Sequence, residues 1–275
     1  MKDRPAILSA ACILGWIALG GCGPQSPETP PVEQLDPRDE AGPPPKTLET
    51  LARTDHIALL QRCLDNYRKH YHGYTCTFLK QERIAGTVRK QQTIAVTFLD
   101  RPFSVGMKWI ENPPQGDRVL YVEGKYDNEM LVRPSGALAR LLAPTVRRKP
   151  DGPDAMRSAL RPVSLFGFQR GMESLLAVYR QAEIAGDLKQ EFGDYAKIAG
   201  RRTLILVRKL PRREGYASHV TKTYIDLEYL VPIMIEGFGW DGEFVSRYLY
   251  KDVKFDVELT PDDFRPEAFD LKVPG

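Results

Sequence analysis

The chain has 275 residues, with 39 Lys and Arg against 36 Asp and Glu, a formal net charge of +3. That near-balance leaves no basic footprint of the kind nucleic acid demands and excludes it as a partner. The length accommodates one domain of about 200 residues or two small ones, and the pattern below favours one.

Lys2 and Arg4 precede an apolar run, 6–19, broken only by Ser9 and Gly15. At about 14 residues it falls short of the roughly 20 that span a bilayer, so it reads as the hydrophobic region of a secretory signal. It ends in Leu19-Gly20-Gly21-Cys22, which resembles the lipobox of bacterial lipoproteins. The resemblance implies a signal peptide over 1–21, lipidation at Cys22 and a membrane partner held through that N-terminal lipid, since two or more acyl chains attach a protein stably. Without 1–21 the balance is 37 basic against 35 acidic residues, and Cys12 is removed. Cys63 and Cys76 remain, either paired as a disulfide in an oxidising compartment or separately buried as thiols.

Residues 22–46 carry eight prolines, from Pro24 to Pro45, among five acids. So little apolar surface does not offset the entropy of ordering, which predicts a disordered, semi-stiff tether reaching about 70 Å at polyproline spacing. The remaining 47–275 holds 35 basic and 30 acidic residues, a mild basic bias of five charges.

Within 48–71, Ile57, Leu60, Leu64 and Tyr67 recur at helical spacing and predict one amphipathic helix. The period then falls to two. Tyr74, Cys76 and Phe78 share a face; Ala85-Gly86 turns the chain; Ile94, Val96 and Phe98 alternate; and after Pro102 so do Phe103, Val105, Met107 and Trp109. Turns at 112–116 and 126–128 separate two further strands, giving an antiparallel meander with one apolar face. Leu138, Leu141 and Leu142 predict a short helix, and Phe168, Met172, Leu175 and Tyr179 a longer one whose apolar stripe must cover that face. Arg147-Arg148-Lys149, with Arg157 and Arg161, reads as a solvated basic loop, with contact to anionic headgroups as the alternative. Strands resume over 203–207, 219–227, 233–238 and 244–259. In the last, Phe244, Tyr248 and Tyr250 are out of phase with Val253, Phe255 and Val257, which predicts a bulge near Lys251-Asp252. The whole predicts an α+β domain: a strongly curved antiparallel sheet, a half-open β-barrel, with helices over its concave face.

The order of elements, and a closing strand running from Tyr250 through Val253 and Leu259 to Phe264, resembles the LolA/LolB-like lipoprotein carrier superfamily. More closely, Tyr74 to Phe78 with Glu82, Pro102 to Val105 with Lys108-Trp109, and Val119 to Gly124 resemble an uncharacterised bacterial envelope lipoprotein family, a domain of unknown function. The resemblance covers roughly 51–269 and implies a hydrophobic cavity, with no catalytic residue to carry over. The tether and the lipid on the protein itself fit an anchored acceptor better than a soluble shuttle.

Gly237 to Gly242 spells G-x-G-x-x-G, but a strand follows where a dinucleotide site requires a helix, so a hairpin turn is expected. His70 and His72 lack a third ligand nearby, and zinc sites want three or four. No nucleophile and base pair is recognisable, and no cofactor or metal is implied. The expectation is a non-enzymatic lipoprotein of the bacterial envelope, at the outer membrane facing the periplasm, handling lipid or lipoprotein by binding an acyl chain or other hydrophobic ligand. Its cavity candidates are Phe103, Val105, Met107, Trp109, Phe168, Met172 and Leu175. The alternatives are an adaptor that binds another envelope protein through Arg201-Arg202 and 208–213, and a secreted hydrolase.

Overall fold

A computed structural model describes residues 32–34 and 46–274. The signal peptide, Cys22 and most of the tether lie outside the described residues. Within the tether, β1 (Glu33–Gln34) nevertheless pairs with a strand of the domain.

The predicted first helix is two, α1 (Lys46–Thr54) and α2 (His56–His70). The apolar spacing runs through the break, but Asp55 adopts φ −154° and accepts the Ala58 N–H at 2.9 Å. That N-cap, worth about 1 kcal/mol, starts a new helix in a new direction. The meander follows as β2 (Gly73–Ile84), β3 (Thr87–Val88), β4 (Gln92–Leu99), β5 (Ser104–Glu111), β6 (Gly116–Val122) and β7 (Met130–Pro134). Next come α3 (Ala137–Leu142), β8 (Val146–Arg148), α4 (Pro153–Met156) and α5 (Phe168–Ile184). Five strands close the chain: β9 (Lys189–Ile198), β10 (Arg201–Lys209), β11 (Val220–Asp226), β12 (Pro232–Phe238) and β13 (Phe244–Lys254).

Two strands escape the periodicity. Gly193 and Asp194, the latter at φ 75°, interrupt the alternation of β9. β8 is the supposed basic loop: it pairs with β7 as an edge strand, and charge along an edge discourages further pairing. The hairpin at Gly237 to Gly242 and the bulge at Asp252, φ 54°, both form as predicted. Past the bulge Phe255 turns inward and stacks on Tyr71, centroids 4.0 Å apart.

All pairings are antiparallel, in the order β1-β9-β10-β11-β12-β13-β2-β4-β5-β6-β7-β8, with β3 paired to β2 alone. Joining β13 to β2 fuses the two meanders into one sheet, while its ends, β1 and β8, do not meet among the described residues. The result is the expected curved, unclosed sheet. On its concave face α2 and α5 pack together, burying Leu60, Cys63, Leu64 and Tyr67 against Phe168, Met172, Leu175 and Tyr179. Cys63 and Cys76 are both free and buried in this core, so they are separate thiols and not a disulfide.

The single apolar face is also corrected. The turns Pro261–Phe264 and Pro266–Phe269 strap the opposite face of β4 to β7, where Leu99, Leu120, Val122 and Leu131 bury Phe264, Phe269 and Leu271. The continuous run Val119-Leu120-Tyr121-Val122 is the signature of a strand covered on both faces. At the centre, a Cβ on Gly106 would lie 1.9 Å from the Phe269 ring. Gly106→Ala is therefore expected to lower stability by about 1–3 kcal/mol, read as a drop in melting temperature.

Candidate functional site

Strand register builds the site. Across the concave face Tyr250 of β13, Phe78 of β2, Ile94 of β4 and Trp109 of β5 pair in one row. Ile235, Tyr248, Lys80 and Gln92 form the next. Met107, Val119 and Val132 continue the same face towards β8. The segment between β7 and α5 crosses over these rows and contributes Ala139, Leu142, Ala155, Met156, Ala159 and Val163 as a roof. Between floor and roof is a cavity of about 530 Å³, within the range of ligand pockets.

Its walls are mostly apolar, with Lys80, Glu82, Gln115, Arg148, Asp154 and Arg161 among them. Glu82, 3% exposed, receives the Tyr248 hydroxyl at 2.6 Å, and its other oxygen lies 3.0 Å from the Lys80 ammonium. Burial pushes the Tyr248 phenol far up, so it remains a donor. The Arg161 guanidinium sits 5.8 Å from the Tyr248 ring centre, and Arg148 pairs with Asp154 at 3.4 Å. The Trp109 indole donates to Gln92 Oε1 at 2.8 Å, which fixes the ring in the wall. The arrangement accommodates an apolar chain with a polar group at Lys80, Glu82 and Arg161. Among the described residues no group of three or more His, Cys, Asp or Glu is placed to hold a metal.

Of the residues singled out by pattern, Met107 and Trp109 line this cavity. Phe103 and Val105 share the concave face and Phe168, Met172 and Leu175 are on α5, and all five lie in the packed core. Phe168 is 4.9 Å from the Tyr74 ring and 4.5 Å from Tyr250, and Phe103 is 5.4 Å from Phe98 with the Arg170 guanidinium 3.7 Å above it. Alternation identifies a face; it does not say where α5 covers it. Sequence reasoning missed the roof and the polar wall residues, although Lys80 and Glu82 continue the inward positions of Tyr74, Cys76 and Phe78.

The basic stretches do not form one docking surface. Arg201 is held by Asp226 at 2.6 Å, Arg212 by Asp241 at 3.1 Å and Arg213 by Asp187 at 2.7 Å. Arg208 is 5% exposed, lies 4.9 Å above the Tyr179 ring and donates to the Thr221 hydroxyl; burial pushes its guanidinium pKa down.

A curved, open antiparallel sheet with helices and one lined cavity on its concave side defines an α+β half-barrel. The chain belongs to the family described as protein of unknown function (DUF1571), whose model matches residues 71–272. No curated protein matches it. Among solved structures it is similar to MucB, with TM-score 0.48 and 13% identity over 78% of this chain and 64% of that one. It thus spans less than two thirds of that protein. It is also similar to the lipoprotein LppX of Mycobacterium tuberculosis, with TM-score 0.43 and 11% identity over 74% of this chain and 97% of that one. A putative outer membrane lipoprotein-sorting protein domain from Vibrio parahaemolyticus has TM-score 0.38 and 11% identity, over 78% and 97%.

Proposed function

We propose that this is a non-enzymatic binding protein of the bacterial envelope, anchored through a lipid on Cys22 at the outer membrane and facing the periplasm. Its cavity takes an acyl chain or similar hydrophobic ligand in a lipid- or lipoprotein-handling role. The observation that carries this reading is the cavity of about 530 Å³, lined mostly by apolar side chains with Lys80, Glu82 and Arg161 among the polar ones. A dry core of the same composition would leave no such volume, because protein interiors pack to crystal-like density.

Gly171 supplies the test. It lies on α5, lines the cavity, and a Cβ there meets no atom within 4 Å. The side chain of Gly171→Phe therefore starts into open space in the cavity, and the change removes a helix-weakening glycine. Delipidated protein titrated with a dansyl-labelled fatty acid is expected to quench or shift Trp109 emission in a Trp240→Phe background. Gly171→Phe is expected to weaken that binding at least about tenfold with no fall in melting temperature. Equal binding by both forms would place the fatty acid elsewhere and sink the reading.

A further inference from the structure

The roof of the cavity carries a feature that ligand binding does not explain. In α3, Leu138, Leu141 and Leu142 are 71%, 80% and 79% exposed, and the helix buries no residue. Six residues are too few for a helix to be stable in isolation. The one charged side chain of the helix, Arg140, turns back to the sheet rim, donating to the Ser135 carbonyl at 3.2 Å and lying 3.8 Å from Asp117. The leucines are thus left at the tip without a charge among them. Leu160 and Leu165, 41% and 44% exposed, extend the apolar surface along the same crossing segment. Contiguous exposed leucines of this kind mark a surface that is covered in use.

Charge selects what covers it. Segment 135–165 holds six Lys and Arg against two Asp. Arg140, Arg147, Arg148 and Arg157 are engaged by Asp117, Asp127 and Asp154, which leaves Lys149 and Arg161 as the cations of the segment without an acidic partner among the described residues. Projecting leucines on a segment with a surplus of cations suit an anionic lipid surface: the apolar groups enter the boundary between headgroups and chains, and each basic residue near the surface adds an attraction screened by salt. We infer that α3 and the flanking residues to Leu165 are a membrane-docking face for an anionic bilayer. Leu138 and Leu141 are its insertion points, and Lys149 meets lipid phosphate. Since Leu142 and Leu165 also line the cavity, docking sets the cavity rim against the lipid surface. This face goes beyond the ligand-binding reading and stands if the cavity proves empty.

The test uses residues 23–275, which hold every described element and lack Cys22, so that no acyl chain contributes. Co-sedimentation with vesicles of phosphatidylcholine plus phosphatidylglycerol is expected, falling with added salt and with vesicles of phosphatidylcholine alone. Leu138→Ser with Leu141→Ser, neither of which lines the cavity, is expected to weaken binding at least about tenfold. Lys149→Glu is expected to weaken binding and to reduce its salt dependence. Melting temperatures should match the parent, because none of these side chains is buried. Vesicle binding unchanged by the leucine pair would overturn the assignment. So would failure to bind any vesicle while the leucine pair abolishes a crosslink to another envelope protein, which would give the face to a protein.

Discussion

Phe269→Ala is expected to destabilise the domain by about 3–5 kcal/mol, the range for removing a buried aromatic ring. The ring is 4% exposed and lies on the face of β5 opposite the cavity, directly over Gly106, where no side chain competes for the space. It stacks beside Phe264, 6.3 Å between centres, and joins Leu99, Leu120, Val122 and Leu131 in a cluster separate from the main core. Asp270, just beyond it, is tied to Arg118 at 3.3 Å and Arg133 at 3.8 Å, but at about half exposure those pairs add little. The strap is therefore held by the ring. Urea denaturation of the single variants and of the pair provides a sharper check than the magnitude alone. With Phe269 removed, the Cβ of Gly106→Ala has room, so the double variant should be less destabilised than the sum of the singles by 1 kcal/mol or more, about the coupling expected for residues in contact. Strict additivity would mean that the two positions do not share that space.

The same strap shows what a sequence read by period discloses and what it conceals. Strands β2, β4 and β5 and helix α5 were legible because their inward residues recur at two or at three and four positions without interruption. The α2 cap was visible in Asp55 but was masked by Ile57, Leu60 and Leu64 continuing the phase of the preceding turn. β9 was hidden by the left-handed Asp194, and β8 by its charge. The second covered face was announced only by the four successive apolar residues from Val119 to Val122, whose partners lie about 140 residues away at Phe264 and Phe269. For the cavity, the face was legible and the vacancy was not. Val105 and Met107 have identical sequence parity, yet one lies under α5 and the other under the roof, a difference set by where Gly167 ends the crossing segment and α5 begins. Nothing in the period of β2 marks the burial of Glu82; it follows from Tyr248, which reaches it only because β13 pairs with β2.

Two titratable groups, His56 at the start of α2 and Asp100 just after β4, are expected to give the folded state opposing responses to acid. His56 is fully buried; its Nε2 donates to the Ala52 carbonyl at 2.8 Å, leaving Nδ1 to face the Tyr179 hydroxyl at 3.2 Å. Burial pushes the imidazole down to about 4, against the opposing pull of the Ala52 carbonyl and Asp55. Below its free value of 6.5 the unfolded chain takes up a proton that the folded chain refuses, so stability falls as pH drops from 6.5 towards 4, by about 3 kcal/mol. Asp100 behaves oppositely. Burial pushes its carboxyl up to about 6, although the Tyr67 hydroxyl donates to it at 2.9 Å and His72, Arg101 and Arg170 favour its charge. The folded chain therefore keeps a proton that the unfolded chain has released above 3.8, and this contribution, full below 3.8, is lost as pH rises through 6. Across the shared window the two slopes offset each other, and the parent protein should show a shallow profile. Asp100→Asn, which still accepts from Tyr67, should unmask the His56 response, with the urea midpoint falling steeply towards acid. His56→Gln should unmask the other, with the midpoint rising over the same interval. Parallel profiles in the two variants would show that these groups do not govern the acid response, whereas slopes of opposite sign would locate it in one helix-start imidazole and one strand-end carboxylate.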